Sequence, residues 1–382
     1  MKIYRVGGAV RDALLGLPVQ DIDYVVTGSS PEQMVAAGYT PVGKDFPVFL
    51  HPVSKAEYAL ARTERKSAPG YRGFVFHCAP DVTLEQDLQR RDLTINAMAI
   101  EDGSADQIII DPFGGQRDVE QRIFRHVSDA FEEDPVRILR IARFAARFHQ
   151  FSIAPETMQL MQSMVQHGEV DALVPERVWQ EIARGLMESH PSRMLQVLHD
   201  SGAMERIMPE LAWSATASSE HALQVIDFAA RQNSSLAVRW AALLVHCTGR
   251  DQAKALCERI RVPNDVREIA LITCTEHRHI RFNAEMTPEM LVVLLERCDA
   301  FRRPARFHEI IDAARCSSLM QLAEFPQQNL LELSLNAAQS IPSRQIAQSA
   351  AQQVPNQPLY IAEQIFAARV AAVGKLPHFF QG

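Results

Sequence analysis

Apolar positions recur in two rhythms along this chain, and the change falls between residues 125 and 134. Before it, short alternating runs punctuated by glycine and proline predict strands at Ile3–Val6, Asp21–Val26, Val48–His51, Glu57–Arg62 and Gln107–Asp111. Helical spacing interleaves at Ala9–Leu15, Pro31–Ala37, Leu84–Ala99 and Gln116–Gln121. Thr63 to Ala79, rich in Gly, Pro, Ser and basic residues, reads as a mobile loop.

From Asp134 onward the rhythm is helical. Asp134 is a good N-cap with Pro135 at the first helical position, and Val136 to His149 runs unbroken. Ile138, Leu139, Ile141, Ala142, Ala145 and Ala146 supply its apolar face. Further helices are predicted at Pro155–His167, Pro175–Glu188, Pro191–Gly202, Glu220–Gln232, Leu236–His246, Gln252–Arg261, Asn264–Glu276, Pro288–Cys298 and Arg303–Arg315. The last stretch is less regular until Leu359–Val373. The fold class is therefore α+β. A mixed-sheet region spans 1–132, and helices occupy 133–382.

Composition narrows the class. A chain of 382 residues, 47% hydrophobic and 22% charged, has room for several ordinary cores. No apolar run reaches the length of a membrane span, and the start MKIYRVGG lacks a signal-peptide core, so the expected place is the cytoplasm. The 6 cysteines show no CxxC spacing and read as reduced thiols rather than disulfides or a zinc site. A monomer is the expected state. A net charge of −7 argues against indiscriminate coating of nucleic acid. Local arginine clusters nevertheless occur within the first 150 positions: Arg62, Arg65, Lys66 and Arg72; Arg90-Arg91; then Arg137, Arg140, Arg143 and Arg147.

Candidate chemistry begins at Arg5 to Val26, RVGGAVRDALLGLPVQDIDYVV. Gly7-Gly8 lets a phosphate approach the backbone, and the next helix offers free N–H groups. On a strand, Asp21 and Asp23 point the same way, while Ile22, Tyr24 and Val25 serve the core. Adjacent carboxylates repel unless a cation lies between them, and Mg²⁺ is usually held by one or two carboxylates plus substrate phosphates. Taken alone, such a pair more often marks two solvated positions on an edge strand. Glu57 is either a third acid facing the pair or a solvent-face residue.

Three further stretches bear on the choice. Read as a helix, Arg90 to Met98 puts Arg91, Thr94 and Met98 on one face and Asp92 and Asn96 on another. Thr94 and Asn96 are poor helix formers, so something besides propensity selects them. Asp111-Pro112-Phe113-Gly114-Gly115 reads as a structural turn that shapes the site floor. In Glu133 to Phe144, Asp134 and Arg137 both reach one point beside the first helical turn. They fit an N-cap with a local ion pair, and they also fit base reading. A carboxylate only accepts and a guanidinium only donates. Cytosine and adenine present an amino donor beside a ring-nitrogen acceptor, whereas guanine and uracil reverse that pattern and leave charges unpaired.

Together these stretches resemble the bacterial class II CCA-adding enzymes, tRNA nucleotidyltransferases of the polymerase-β-like superfamily. GGAVRD…DIDYVV matches motif A, RRDLTINAMA motif B, DPFGG the C region, EDPVRILRIARF motif D and PERVWQEIARGL motif E. RTERKSAPGYRGF resembles the flexible loop used for the final A. The resemblance is close over roughly the first 210 residues. It implies that Asp21 and Asp23 bind catalytic Mg²⁺ and that Gly8 and Arg11 hold the triphosphate. Arg91 and Arg140 contact the nucleotide, and Asp134 and Arg137 read the base edge. The tRNA 3′-hydroxyl attacks the α-phosphorus of CTP or ATP and pyrophosphate leaves. The helices grip the tRNA acceptor end by shape and backbone charge.

The C-terminal half departs from long relatives, whose HD phosphohydrolase metal needs a His…His-Asp…Asp set. Here His221 is followed by AALLVHCTG, with Cys247 where an aspartate is needed, and the segment is shortened. His277 and His279 have no carboxylate pairing in this reading. An HD-like helical domain without metal hydrolase activity is expected. The rivals are a poly(A) polymerase, an enzyme adding only A, and an RNA-binding protein with an inactive head. The first favours a strongly basic C-terminal extension, whereas this chain ends KLPHFFQG.

Overall fold

The computed structural model describes residues 1–42, 48–66, 74–213, 217–247, 249–282, 285–321 and 324–379. The chain forms two compact units, Met1–Glu181 with Arg193–Ile207 and Ile182–Ser192 with Met208–Gly382.

The chain begins with β1 (Lys2–Val6), α1 (Gly8–Leu14), β2 (Asp23–Thr27), α2 (Pro31–Ala36), β3 (Thr40–Val42), β4 (Val48–Leu50) and β5 (Glu57–Leu60). Strands β6 (Thr63–Lys66) and β7 (Phe74–His77) pair antiparallel, and α3 (Leu84–Gln89), β8 (Ala99–Glu101), β9 (Ile109–Ile110) and α4 (Gly115–Gln121) follow. The main sheet runs β3-β4-β5-β2-β1-β8-β9, and β2 and β5 are parallel in an otherwise antiparallel ladder. Alternation along the strands fills both faces. Tyr4, Val6 and Val25 pack with Leu88 and Ala97 on one side, while Ile3, Tyr24 and Val26 pack with Met34, Phe49 and Leu60 on the other.

Beyond the sheet come β10 (Ile123–Phe124), α5 (Val136–Arg147), β11 (Ser152–Ile153), α6 (Pro155–Gln166), α7 (Pro175–Leu186), α8 (Pro191–Asp200) and α9 (Ala203–Ile207). The second unit adds α10 (Ala217–Arg231), α11 (Leu236–Cys247), α12 (Arg250–Arg259), α13 (Asn264–Arg281) and α14 (Pro288–Arg297). It ends with α15 (Pro304–Ser317), α16 (Gln327–Gln339), α17 (Ser343–Gln353) and α18 (Pro358–Val373). Its core is built on Trp240, Leu243, Leu295 and Phe307. Buried Arg239 donates to the carbonyls of Leu186 (2.6 Å) and Glu188 (3.1 Å), satisfying acceptors left open where α7 ends. Among the described residues no helix is long and apolar enough to cross a membrane.

Four expectations change. The helix predicted over Leu84–Ala99 stops at Gln89, and a 3-10 turn at Thr94–Asn96 leads into β8, so Arg91, Thr94 and Met98 share no helical face. Side chains win that contest: Asp92 accepts from the Leu93 N–H and the Asn96 amide, which holds the backbone away from helix. Strand β2 begins at Asp23, so Asp21 lies in the preceding exposed segment, and Ile22 is 38% exposed rather than in the core. The segment read as a mobile loop contains β6 and β7, while 67–73, with Arg72, lies outside the described residues. Helices α16 and α17 arise where the sequence looked irregular, and α17 buries only Ala350.

Candidate active site

The register of the central strands assembles the glycine turn and Asp23. Val6 pairs with Asp23, so this carboxylate stands across from the residue that leads into Gly7-Gly8, on the sheet face shared with Val25. Gly7 has φ +68°, and a Cβ there would come 2.9 Å from Arg91 Nη1. Only glycine suits both the left-handed backbone and that contact. The Gly7 N–H donates to Met98 O at 3.1 Å, tying the turn to the segment that carries Arg91. Arg91 in turn reaches Asp87 Oδ2 at 3.3 Å.

Asp21 and Asp23 are both exposed. Among the described residues no group of three or more His, Cys, Asp or Glu side chains is gathered around one metal position. Exposed Asp23 across from the glycine turn, with exposed Asp21 two residues before it, fits a cation that takes its remaining oxygens from substrate phosphates and water. Glu57 opens β5 as Asp23 opens β2, and the register Tyr24↔Tyr58 gives them matching positions on neighbouring parallel strands. Behind them the rings of Tyr24 and Tyr58 stack at 4.4 Å, and burial, with Tyr24 and Tyr39 adding to it, pushes the Tyr58 hydroxyl up to about 12.

A chain of charged groups links α1 to α5. Arg11 is 3% exposed. Its Nε lies 2.8 Å from Asp12 Oδ1 and its Nη1 2.6 Å from Asn96 Oδ1. Its guanidinium lies against the rings of Phe144 (5.2 Å) and Phe148 (5.0 Å). Arg147 Nη2 donates to Asp12 Oδ2 at 2.9 Å. The Asn96 amide passes the chain on to Asp92 Oδ1 at 2.9 Å, and Arg140 closes it with Nε and Nη2 both 2.8 Å from Asp92 Oδ2. Burial works to raise the Asp92 carboxyl, but Arg140, the Asn96 amide and Arg137 overrule it and hold it well below the usual range. The Asp92 charge raises Arg140 in return. Burial lowers Arg11, against the opposing pull of Asp12.

The base-reading candidates sit at the start of α5. Asp134 Oδ1 caps the Val136 N–H at 3.1 Å, as an N-cap aspartate does. Its carboxylate is gripped by Arg177 of α7, with Nη2 2.8 Å from Oδ2 and Nη1 3.3 Å from Oδ1. Arg137 is buried, and donates to Ala130 O (2.8 Å) and Arg90 O (2.6 Å). The same first unit thus holds Asp21, Asp23, Gly8, Arg11, Arg91, Asp134, Arg137 and Arg140.

Sequence reasoning gave no role to Asp12, Asp87, Asn96, Asp118, Arg147, Arg177 or Glu181. Asp118 is fully buried, accepts from Thr94 Oγ1 at 2.7 Å and pairs with Arg125 at 3.1 Å. The available signal was their density inside the same motifs, where polar groups with long-range partners replace ordinary core residues. In the second unit the rings of His221 and His246 meet edge-on at 4.5 Å, and burial, helped by His221 and His277, lowers His246. Contrary to expectation a carboxylate does serve this region, since His279 Nδ1 lies 2.8 Å from buried Glu276. The side chain of Cys247 lies outside the described residues.

Comparison with known proteins agrees with this geometry. Residues 3–125 match the poly A polymerase head domain, and residues 150–214 match the probable RNA and SrmB-binding site of polymerase A. The class is thus a nucleotidyltransferase head followed by helices. Over 407 aligned positions the chain is 53% identical to the multifunctional CCA protein of Herminiimonas arsenicoxydans, covering 98% of this chain and 97% of the relative. It is 55% identical to that of Janthinobacterium sp. (strain Marseille), with the same coverage. This chain belongs to the multifunctional CCA protein family. Its fold superposes on the Bacillus stearothermophilus CCA-adding enzyme in complex with CTP with a TM-score of 0.71, at 23% identity over 98% of this chain and 90% of that one.

Proposed function

We propose that this chain adds C, C and A in turn to the 3′ end of tRNA, using CTP and ATP and releasing pyrophosphate. The observation that carries the reading is its full-length similarity, above half identity, to multifunctional CCA proteins. The head over 1–132 does the chemistry, the neck over 133–210 selects the base, and the helices of 211–382 grip the RNA. Asp21 and Asp23 would hold Mg²⁺, which when bound would activate the 3′-hydroxyl and neutralise the leaving pyrophosphate. The Gly7-Gly8 turn and Arg91 receive phosphate oxygens, and Arg140 presents its guanidinium from Asp92 toward the nucleotide. Arg11 supports that cradle from its buried position against Asp12 and Asn96. Asp134 and Arg137 select an amino donor beside a ring-nitrogen acceptor.

The test is extension of tRNA transcripts ending at the discriminator base, at C and at CC, with each nucleotide alone and all together. Two C's from CTP and then a single A from ATP is the expected outcome. A long A tail would mean a poly(A) polymerase, and extension of the CC-ending transcript alone would mean an A-adder. Asp23→Ala is expected to abolish transfer while tRNA stays bound. For the second unit we propose no metal-dependent phosphohydrolase role, because Cys247 follows His246 where an aspartate ligand is required. Hydrolysis of a cyclic nucleotide with added Ni²⁺, Mn²⁺ or Mg²⁺ would overturn that.

A further inference from the structure

The carboxylate of Asp134 is already largely spoken for. Of the four or so acceptor positions on an ionised carboxylate, one takes the Val136 N–H and two take the fork of Arg177. What remains is a single acceptor direction on Oδ2. Helix α7 is also fixed in register against α5 by a second pair of reversed polarity, one turn further along α7. Glu181 Oε2 accepts from Arg143 Nε at 2.6 Å, and that guanidinium lies on the Phe144 ring at 4.9 Å. Glu181 is buried, so this anchor is no loose surface pair.

We infer that Arg177 is a positioning residue for base selection, holding Asp134 so that its one open acceptor direction faces the exocyclic amino group of the incoming base. The inference rests on the proposal that Asp134 reads that base. A bidentate fork fixes the plane of a carboxylate as well as its place. Released from it, the carboxylate turns about its own bonds, and the penalty against the carbonyl of guanine or uracil is no longer enforced at one point.

The experiment measures kcat/KM for CTP, ATP, GTP and UTP singly on full-length tRNA. The proteins are the wild type, Arg177→Gln, Arg177→Lys, Asp134→Ala and the double variant Asp134→Ala with Arg177→Gln. Arg177→Gln is expected to lose about tenfold in preference for CTP over UTP, the worth of one ordering charged hydrogen bond. The KM for tRNA stays unchanged, and lysine restores part of the preference. The double variant is expected to discriminate no worse than Asp134→Ala. Unchanged discrimination in Arg177→Gln, or losses that simply multiply in the double variant, would overturn the inference while leaving Asp134 as the reader. Unchanged discrimination in Asp134→Ala would instead bring down the base-reading proposal and this inference with it. If Arg177→Gln does not fold, Arg177→Lys decides, since wild-type preference there removes the need for a fork.

Discussion

Asp92 is the residue on which the first unit's charged groups converge, accepting from Arg140, Asn96 and the Leu93 N–H. Asp92→Asn leaves Arg140 without its counter-charge and is expected to cost about 3 kcal/mol in urea unfolding, the low end for breaking a buried pair, because Arg140 keeps some contact with solvent. The pH dependence follows from the depressed carboxyl. Its contribution is present above the unfolded-state value near ~3.9 and is lost as pH falls toward the lower folded value. Acid unfolding of the wild type below about pH 4 is therefore expected to be steeper than that of Asp92→Asn. Gly115 gives a second test, because a Cβ there would come 2.3 Å from Thr94 O and 2.9 Å from Met98 Cγ. Gly115→Ala is expected to destabilise by about 3 kcal/mol, read from the same urea curves. The sequence marked DPFGG as structural, and this contact gives the physical reason. It could not reveal Asp12 or Asp118 as partners, because Asp12 meets Arg147 and Asp118 meets Thr94 only through long-range packing.

Helix α5 was legible almost to the residue, because its apolar face has the helical period and Asp134 supplies the start signal. The stretch after Gln89 was not. Its composition suits a helix, but the pull of Asp92 and Asp118 on neighbouring polar groups breaks it into a turn. Thr94→Val tests that account by keeping the shape and removing the hydroxyl that donates to buried Asp118. A loss of about 2 kcal/mol by urea unfolding is expected, the cost of an unmade bond to a buried charge. A neutral result would assign the turn to packing alone. The glycine turn and β2 were also readable, though the start of the strand at Asp23 depends on pairing with Val6, a partner no local pattern names.

At the scale of the molecule, the switch from mixed α/β to helix was visible in the change of rhythm, and the division into two compact units was not. Units are set by which helices bury which faces, and a chain order of helices does not encode that. The acidic total of −7 also conceals local arginine clusters, such as Arg137, Arg140, Arg143 and Arg147 along α5. In the chain of bonds from Asp12 to Arg140, three guanidiniums (Arg11, Arg140, Arg147) face two carboxylates (Asp12, Asp92), which leaves one positive charge in surplus. Such a centre is electrically unfinished until an anion arrives. The first unit is therefore expected to melt at a higher temperature in millimolar pyrophosphate than in chloride of equal ionic strength, even with chelator present. Replacing Arg147 by methionine should shrink that gap. The nucleotide then acts as a missing structural piece of the protein as well as its substrate, and an enzyme short of triphosphates is also a less durable one.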